Sequence, residues 1–513
     1  MKKLIAILDF GSQYTQLIAR RVRECKVFSR IYPYDINPNI LINDGVIGII
    51  FSGGPESVLS KKAIFPHKKI FNLKVPIMGI CYGLQLIVHM LKGKVSIAKK
   101  QEYGHGNLTI KDKQCLLLKN IDNKSIIWNS HGDIIEVLPN NFKVIATSDN
   151  SNYCIIEDYE KKLYGLQFHP EVVHTVEGTK ILQNFLYLIC KAKCEWEINN
   201  YIKIIIENIK SKVGKKNVIL ALSGGIDSSV AAILIQKAIG KQLHCVFVDN
   251  GLLRDNEYKF VKDIYCKKFN LNLKIIRAAN VFLASLKGVV NPEKKRKIIG
   301  RQFIKIFEKE IKLLKEVKFL AQGTLYSDVI ESAPISNSPS AMIKSHHNVG
   351  GLPKNMKLDL LEPLRELFKD EVRLLGKELN IPSKILSKHP FPGPGLAVRI
   401  IGEITLNRLK ILRKADSILI EELKKSKFYE KIWQGFCIFL PLRSVGVMGD
   451  KRTYNYIIAI RAVESLEGMT ADWFHLPHVF LRHLSNRIIN EVQGISRVVY
   501  DISSKPPSTI EWE

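Results

Sequence analysis

The sequence predicts an α/β protein: two consecutive domains, each on a parallel sheet, followed by a small α+β domain. Three observations predict it. Short apolar runs alternate with helical patterns from Leu4 to Ala321, the rhythm of parallel sheets. Glycine-bearing turns follow several of these runs, where open parallel sheets place their ligands. After a stretch dense in proline and glycine at 389–395, the pattern changes to long helices and alternating apolar segments. At 513 residues the chain exceeds one core, so several domains are expected.

The elements follow in order. Leu4–Leu8, Ile47–Phe51 and Pro76–Ile80 are apolar runs that read as strands, with helical stretches at Ser12–Arg23 and Leu84–Leu91. Val144–Thr147 and Leu163–Phe168 add strands, and Thr179–Cys190 a helix. The first domain is expected to span 1–195. Glu197–Ser211 reads as the helix leading into the second, 196–388, with strands at Asn217–Leu222, His244–Val248, Leu273–Arg277 and Lys318–Ala321. The third, 389–513, carries helices at Thr405–Lys424 and His478–Glu491 and strand-like Lys431–Leu440, Tyr456–Val463 and Arg497–Ile502. The stretch 389–395 reads as a rigid linker or boundary.

Composition narrows the class. Hydrophobic content of 46% suits a soluble globular chain, and no run approaches the roughly 20 apolar residues of a membrane span. Met1–Asp9 imitates a secretory signal, but Asp9 interrupts the apolar run and no small-x-small cleavage site follows. Nine cysteines are scattered without metal-type spacing, which fits a reducing cytoplasm. The net charge of +28 would suit a nucleic-acid binder. However, the lysines spread along the whole chain beside abundant Ile and Asn, so genome composition explains them and no polynucleotide or membrane partner is expected.

Two turns carry chemistry. Gly79-Ile-Cys81-Tyr-Gly83 joins a strand to a helix, the layout of a nucleophile elbow that thrusts a side chain out of a sheet. On that motif alone, Cys81 is as readily a core cysteine as a nucleophile. His169-Pro170-Glu171 ends a strand-like run. Proline keeps His169 extended, so the side chains of His169 and Glu171 share a face. Glu171 can orient His169, and His169 can take a proton from Cys81. Ser52-Gly53-Gly54-Pro55 offers backbone N–H donors; with the N–H of Tyr82 they suit an oxyanion hole. The second turn, Ser223-Gly224-Gly225-Ile226-Asp227-Ser228-Ser229, follows a strand and opens a helix. Glycine N–H groups, serine hydroxyls and the helix N-terminus form a phosphate cradle. It lacks the Gly-Lys-Ser/Thr ending, so no lysine of the loop assists γ-transfer. Asp227 is instead the candidate Mg2+ ligand, with β,γ-pyrophosphate as leaving group. Asp249-Asn-Gly-Leu-Leu-Arg254 is expected to face the nucleotide. The basic stretch Asn291–Arg301 is either a lid over phosphates or a solvated helix face, and Lys344–Leu352 either a lid or a connection.

Phe51-Ser-Gly-Gly-Pro-Glu56, Gly79-Ile-Cys-Tyr-Gly-Leu-Gln85 and Gln167-Phe-His-Pro-Glu-Val172 resemble the class I glutamine amidotransferases. Ser223–Ser229 resembles the loop of the ATP-pyrophosphatases. Their order, with His389-Pro-Phe-Pro-Gly-Pro-Gly-Leu396 and Lys505-Pro-Pro-Ser-Thr-Ile-Glu-Trp-Glu513, resembles the bacterial glutamine-hydrolysing GMP synthetases over essentially the whole chain. The resemblance implies Cys81, His169 and Glu171 as catalytic residues, with Gly54, Tyr82 and Gln85 at the oxyanion and glutamine site. It implies ATP on Ser223–Ser229, and tentative xanthosine monophosphate (XMP) contacts from Arg296, Lys505, Ile510 and Glu511. It also implies the substrates XMP, ATP and glutamine, and a homodimer through the third domain. Two departures are small: Ile226 stands where valine is common, and Ser327 where proline is common. Neither removes a donor or a charge.

Overall fold

Leu4–Asp9 (β1) is buried almost throughout, because a parallel strand covered on both faces has no polar side. A computed structural model describes residues 3–314, 316–332, 358–448, 451–465 and 470–513. They fall into two compact units, one ending at Tyr201 and one starting at Ile202.

The first unit holds a nine-stranded sheet. Its strands are β1, β2 (Ser29–Pro33), β3 (Val46–Phe51), β4 (Ile77–Ile80), β5 (Lys94–Ile110), β6 (Lys124–Val137), β7 (Lys143–Thr147), β8 (Ile155–Asp158) and β9 (Leu163–Leu166), in the order β2-β1-β3-β4-β9-β8-β7-β5-β6. The pairs from β2 to β9 are parallel, as expected. From β9 onward they are antiparallel, so the sheet is mixed rather than wholly parallel. The long β5–β6 hairpin was not legible: its buried face carries Glu102, Ser125, Asn129 and His131 beside apolar residues, so no clean apolar/polar alternation marks it. The expected helix 179–190 runs as an α-helix over Gly178–Gln183 and continues as a π-helix over Asn184–Ile189.

The helix Ile198–Val213 leads from the first unit into the second. The second unit's first sheet is wholly parallel: β10 (Asn217–Ala221), β11 (Leu243–Asp249), β12 (Leu273–Arg277), β13 (Val317–Ala321) and β14 (Asp359–Leu361), ordered β12-β11-β10-β13-β14. The chain runs outward from β10 to β12, then returns to the other side of β10. That reversal opens a crevice beside β10. A second sheet pairs β15 (Gln434–Met448) and β16 (Lys451–Glu464) antiparallel, with β17 (Asp472–Trp473) and β18 (Ile495–Tyr500) on β16. Helices Leu406–Lys425 and His478–Glu491 contribute to its core.

One apolar cluster runs through this whole unit, from Ile219 and Val246 through Leu252 and Leu396 to Leu412, Phe439 and Ile458. The segment 389–395 is therefore no free linker. Its His389 is buried, with Nδ1 accepting from the Gly435 N–H at 3.1 Å and Nε2 donating to the Tyr429 carbonyl at 2.7 Å. Burial drives this histidine down to about 4, so it serves as a neutral fastener. Gly395 has φ +64, and a Cβ there would lie 2.4 Å from the Leu252 carbonyl oxygen; only glycine fits. No helix among the described residues is long and apolar enough to cross a membrane.

Candidate active sites

Cys81 sits at φ +50, ψ −105, between β4 and the helix Tyr82–Met90. A non-glycine residue held there is strained, and such strain collects at functional positions. The flanking glycines make the turn possible. A Cβ on Gly79 would lie 2.4 Å from the Gly83 carbonyl oxygen, and one on Gly83 would lie 2.5 Å from that of Phe51. The Cys81 N–H donates to Leu166 at the end of β9 at 2.7 Å. This clips the elbow to the strand that leads to His169.

His169 and Glu171 do share a face. Nδ1 of His169 lies 2.8 Å from Oε1 of Glu171, and both residues are buried. The Cys81 thiol is near enough to the ring to raise its proton affinity. Thr175 donates to the His169 carbonyl at 2.6 Å, and the His169 N–H donates to Trp128 O at 3.0 Å, which fixes the backbone. Burial, the largest influence, pulls the imidazole down. The charge of Glu171, the nearby Cys81 and the hydrogen bond to Glu171 outweigh it and raise the ring to about 11. A ring so placed can take and return a thiol proton.

The loop after β3 lies against this pair. A Cβ on Gly53 would come within 3.3 Å of His169 Cε1, and one on Gly54 within 2.8 Å of the Phe10 carbonyl oxygen. The Ser52 N–H is spent on Leu8 O at 3.1 Å, which leaves the N–H groups of Gly53, Gly54 and Tyr82 as candidate oxyanion donors. Gln85 is buried one turn into the elbow helix, its amide nitrogen 3.4 Å from Asp133 O. The neighbouring strand β6 was missed as part of the site. It brings Ser130 O to 3.5 Å from the Cys81 sulfur. It also carries the buried His131, 2.9 Å from Glu102 on β5. Burial works to raise Glu102, but His131 and Ser148 hold it below the usual range.

In the second unit, Gly224 has φ +75 and Gly225 caps the helix Ile226–Ile239. The hydroxyls of Ser223 and Ser228 are 2.9 Å apart at the turn. Ser229 departs from expectation. It is fully buried, with its hydroxyl on Gly225 O and Tyr265 OH at 2.5 Å each, so this side chain braces the turn from within. Asp227 holds Lys369 Nζ at 2.6 Å from both carboxylate oxygens. Lys388 Nζ reaches Gly224 O at 3.2 Å and pairs with Glu257. The loop's own sequence carries no lysine, yet the fold delivers two to it. Neither was legible, because each lies more than 140 residues along the chain.

A metal fits this turn only in one way. Among the described residues no three His, Cys, Asp or Glu side chains gather as a metal cage. One carboxylate with phosphate oxygens and water is how magnesium is usually held, and Asp227 is such a carboxylate.

The Asp249–Arg254 loop follows β11, and several of its groups are engaged within the fold. Arg413 binds Leu253 O at 2.9 Å and also Gly251 O, and Arg254 pairs with Asp416 at 2.9 Å. The basic stretch forms the start of the helix Pro292–Leu313. Lys295 is buried in it and Arg296 meets the main-chain oxygen of Glu513. Lys505 pairs with Ala471 through the backbone at 2.7 and 3.0 Å. Ile510 packs near Phe436, Ile438 and Ala459. Glu511 accepts from Arg399 at 2.8 and 3.1 Å and from Gln434 at 2.7 Å. Three of the four tentative nucleotide contacts thus lie in the C-terminal segment, and the fourth, Arg296, meets the last residue of that segment. The stretch Lys344–Leu352 lies outside the described residues.

Comparison with known proteins follows the same division. Residues 6–189 match the model of the class-I glutamine amidotransferases, 197–299 that of NAD synthase, and 421–512 that of the GMP synthase C-terminal domain. A "GMP synthase [glutamine-hydrolyzing]" from Chlorobium luteolum is 56% identical over 99% of this chain and 99% of its own. Its namesake from Aquifex aeolicus is 56% identical over 100% of both, and that from Brachyspira hyodysenteriae 54% identical over 99% of both.

Proposed function

The chain belongs to the family of glutamine-hydrolysing GMP synthases, and from that premise we propose that it is a ligase aminating XMP to GMP. The observation that carries this reading is end-to-end likeness. The NAD synthase description matches 197–299 alone, whereas likeness to the GMP synthases runs through the last helix and the tail.

The division of labour is as follows. Cys81 attacks the amide carbon of glutamine, with Gly54 and Tyr82 stabilising the oxyanion and Gln85 seating the substrate. His169 passes the thiol proton to the departing ammonia, leaving a γ-glutamyl thioester, and Glu171 orients the ring. Water then releases glutamate. In the second unit, Ser223–Ser229 hold ATP with Asp227 near magnesium, which supplies charge neutralisation on the phosphates. The C2 oxygen of XMP attacks the α-phosphorus, pyrophosphate leaves, and a poor leaving group has become an adenylate. Ammonia attacks C2 and AMP departs with that oxygen. Arg296, Lys505, Ile510 and Glu511 bind XMP.

The domains are taken as 1–195, 196–388 and 389–513, with a homodimer through the third. Nine free cysteines support a reducing cytoplasm. Cys245 is buried and burial pushes its thiol up to about 12, which argues against the rival reading as a sulfur-handling tRNA-modifying enzyme. The test mixes purified protein, ATP and magnesium with XMP, a nicotinate dinucleotide or tRNA in separate reactions. AMP formation with XMP alone is expected. AMP formation only with another acceptor refutes the reading.

A further inference from the structure

Among the described residues of the second unit, three cations have fully buried side chains: Lys295, Arg399 and Arg461. All three use the segment 501–513 as partner. Arg461 donates to the carbonyls of Ser503, Thr509 and Ile510 at 2.9–3.1 Å and pairs with Asp501 at 2.9 Å. Arg399 grips Glu511, its guanidinium 4.0 Å from the Phe436 ring centre. Lys295 donates to Ala397 O at 3.2 Å and Ile400 O at 2.7 Å, and its charge is met by the Glu513 carboxylate. The other oxygen of that carboxylate accepts from the Gly402 N–H at 3.2 Å.

The bland reading is a tail fastened for stability. Buried ion pairs are poor fasteners, since well-packed apolar residues often do as well or better. What they give is register. The arrangement at Glu513 shows which register: its carboxylate neutralises Lys295, and its main-chain oxygen holds the guanidinium of the next residue, Arg296. One tail residue therefore fixes a proposed phosphate ligand on the helix and, two residues back, the proposed ligand Glu511. An arginine held at one point loses less freedom when its ligand arrives. Burial pulls the Lys295 ammonium down and Glu513 opposes it, in keeping with a charge that depends on this one carboxylate.

We propose that Lys295 and Glu513 are a positioning pair of the acceptor-nucleotide site, holding Arg296 and Glu511 in the geometry that binds XMP. The proposal rests on the reading of XMP as acceptor. The test is steady-state kinetics of the full chain with ammonium as nitrogen donor. Glu513→Gln keeps the main-chain oxygen but removes the charge that offsets Lys295. It should raise KM for XMP about tenfold or more, as breaking a buried pair in a binding site does, with kcat and KM for ATP within threefold. Lys295→Met with Glu513→Gln removes both charges and should recover most of the loss. Should Glu513→Gln fail to fold, XMP affinity of Glu513→Asp is measured by calorimetry, and a clear weakening is expected. An unchanged KM or affinity for XMP overturns the pair. So does an equal rise in KM for XMP and ATP with a lowered Tm, which marks a structural role only. Failure of the unmodified protein to use XMP would instead refute the acceptor.

Discussion

Replacing Glu171 with glutamine isolates one contact of the proposed triad. The pair is buried and 2.8 Å apart. His169 stands at about 11 against an ordinary value of 6.5, although burial acts strongly downward on it. Without the carboxylate charge, burial is opposed chiefly by Cys81, and the ring binds its proton less firmly. Breaking a buried pair costs roughly 3–5 kcal/mol, or about 10² to 10⁴ in rate if expressed wholly in the transition state. The glutamine carbonyl can still accept from Nδ1, so the lower end, about 10²-fold, is expected. The assay is glutamate release from glutamine, with ammonium-dependent amination as control. Stability adds a sign. A folded value above the ordinary one stabilises fully below about pH 6.5 and loses this contribution as pH rises toward 11. The Tm advantage of the unmodified protein over Glu171→Gln should therefore be largest below pH 6.5 and shrink on the alkaline side. A glutamine-dependent rate within threefold of the unmodified protein, or a Tm gap that widens with pH, would refute the reasoning.

Cys81→Ala should abolish glutamine-dependent amination and spare the ammonium-dependent reaction; loss of both contradicts separate sites. Asp227→Ala should stop pyrophosphate release even with ammonium supplied, and persistent release would remove it from the metal. Gly79→Ala puts a methyl 2.4–2.6 Å from the backbone of Gly83 and Leu84, which cannot yield cheaply. It should cost about 3 kcal/mol or more and lower Tm, with ammonium-dependent activity kept. An unaltered melting curve would show that the elbow tolerates a side chain.

Much of the site was legible because it is local. Gly-x-Cys-x-Gly, His-Pro-Glu and the double-glycine turn each place their chemistry within a few residues, where steric rules and period-2 alternation apply. Some strand bounds were legible too: β12, at the edge of its sheet, begins and ends at Leu273 and Arg277 as expected. Lys369, Lys388 and the His131–Glu102 pair were not, since nothing near them in the chain announces a partner. The inward turn of Ser229 was equally hidden. A serine at that spacing can face an anion or its own helix, and Tyr265 decides which.

The amino-acid order by itself determined which turns are sharp, which strands are covered on both faces, and which side chains stand at strand ends. Tertiary structure alone decided that β3, β4 and β9 are neighbours, which gathers the Gly54 loop, Cys81 and His169 beyond the carboxyl ends of adjacent interior strands. It also decided that the segment 501–513 is held against three buried cations rather than fraying. The physical reason is common to both. Strand order and charge burial are set by contacts between residues far apart in sequence, whose free energy exists only once the whole unit has closed.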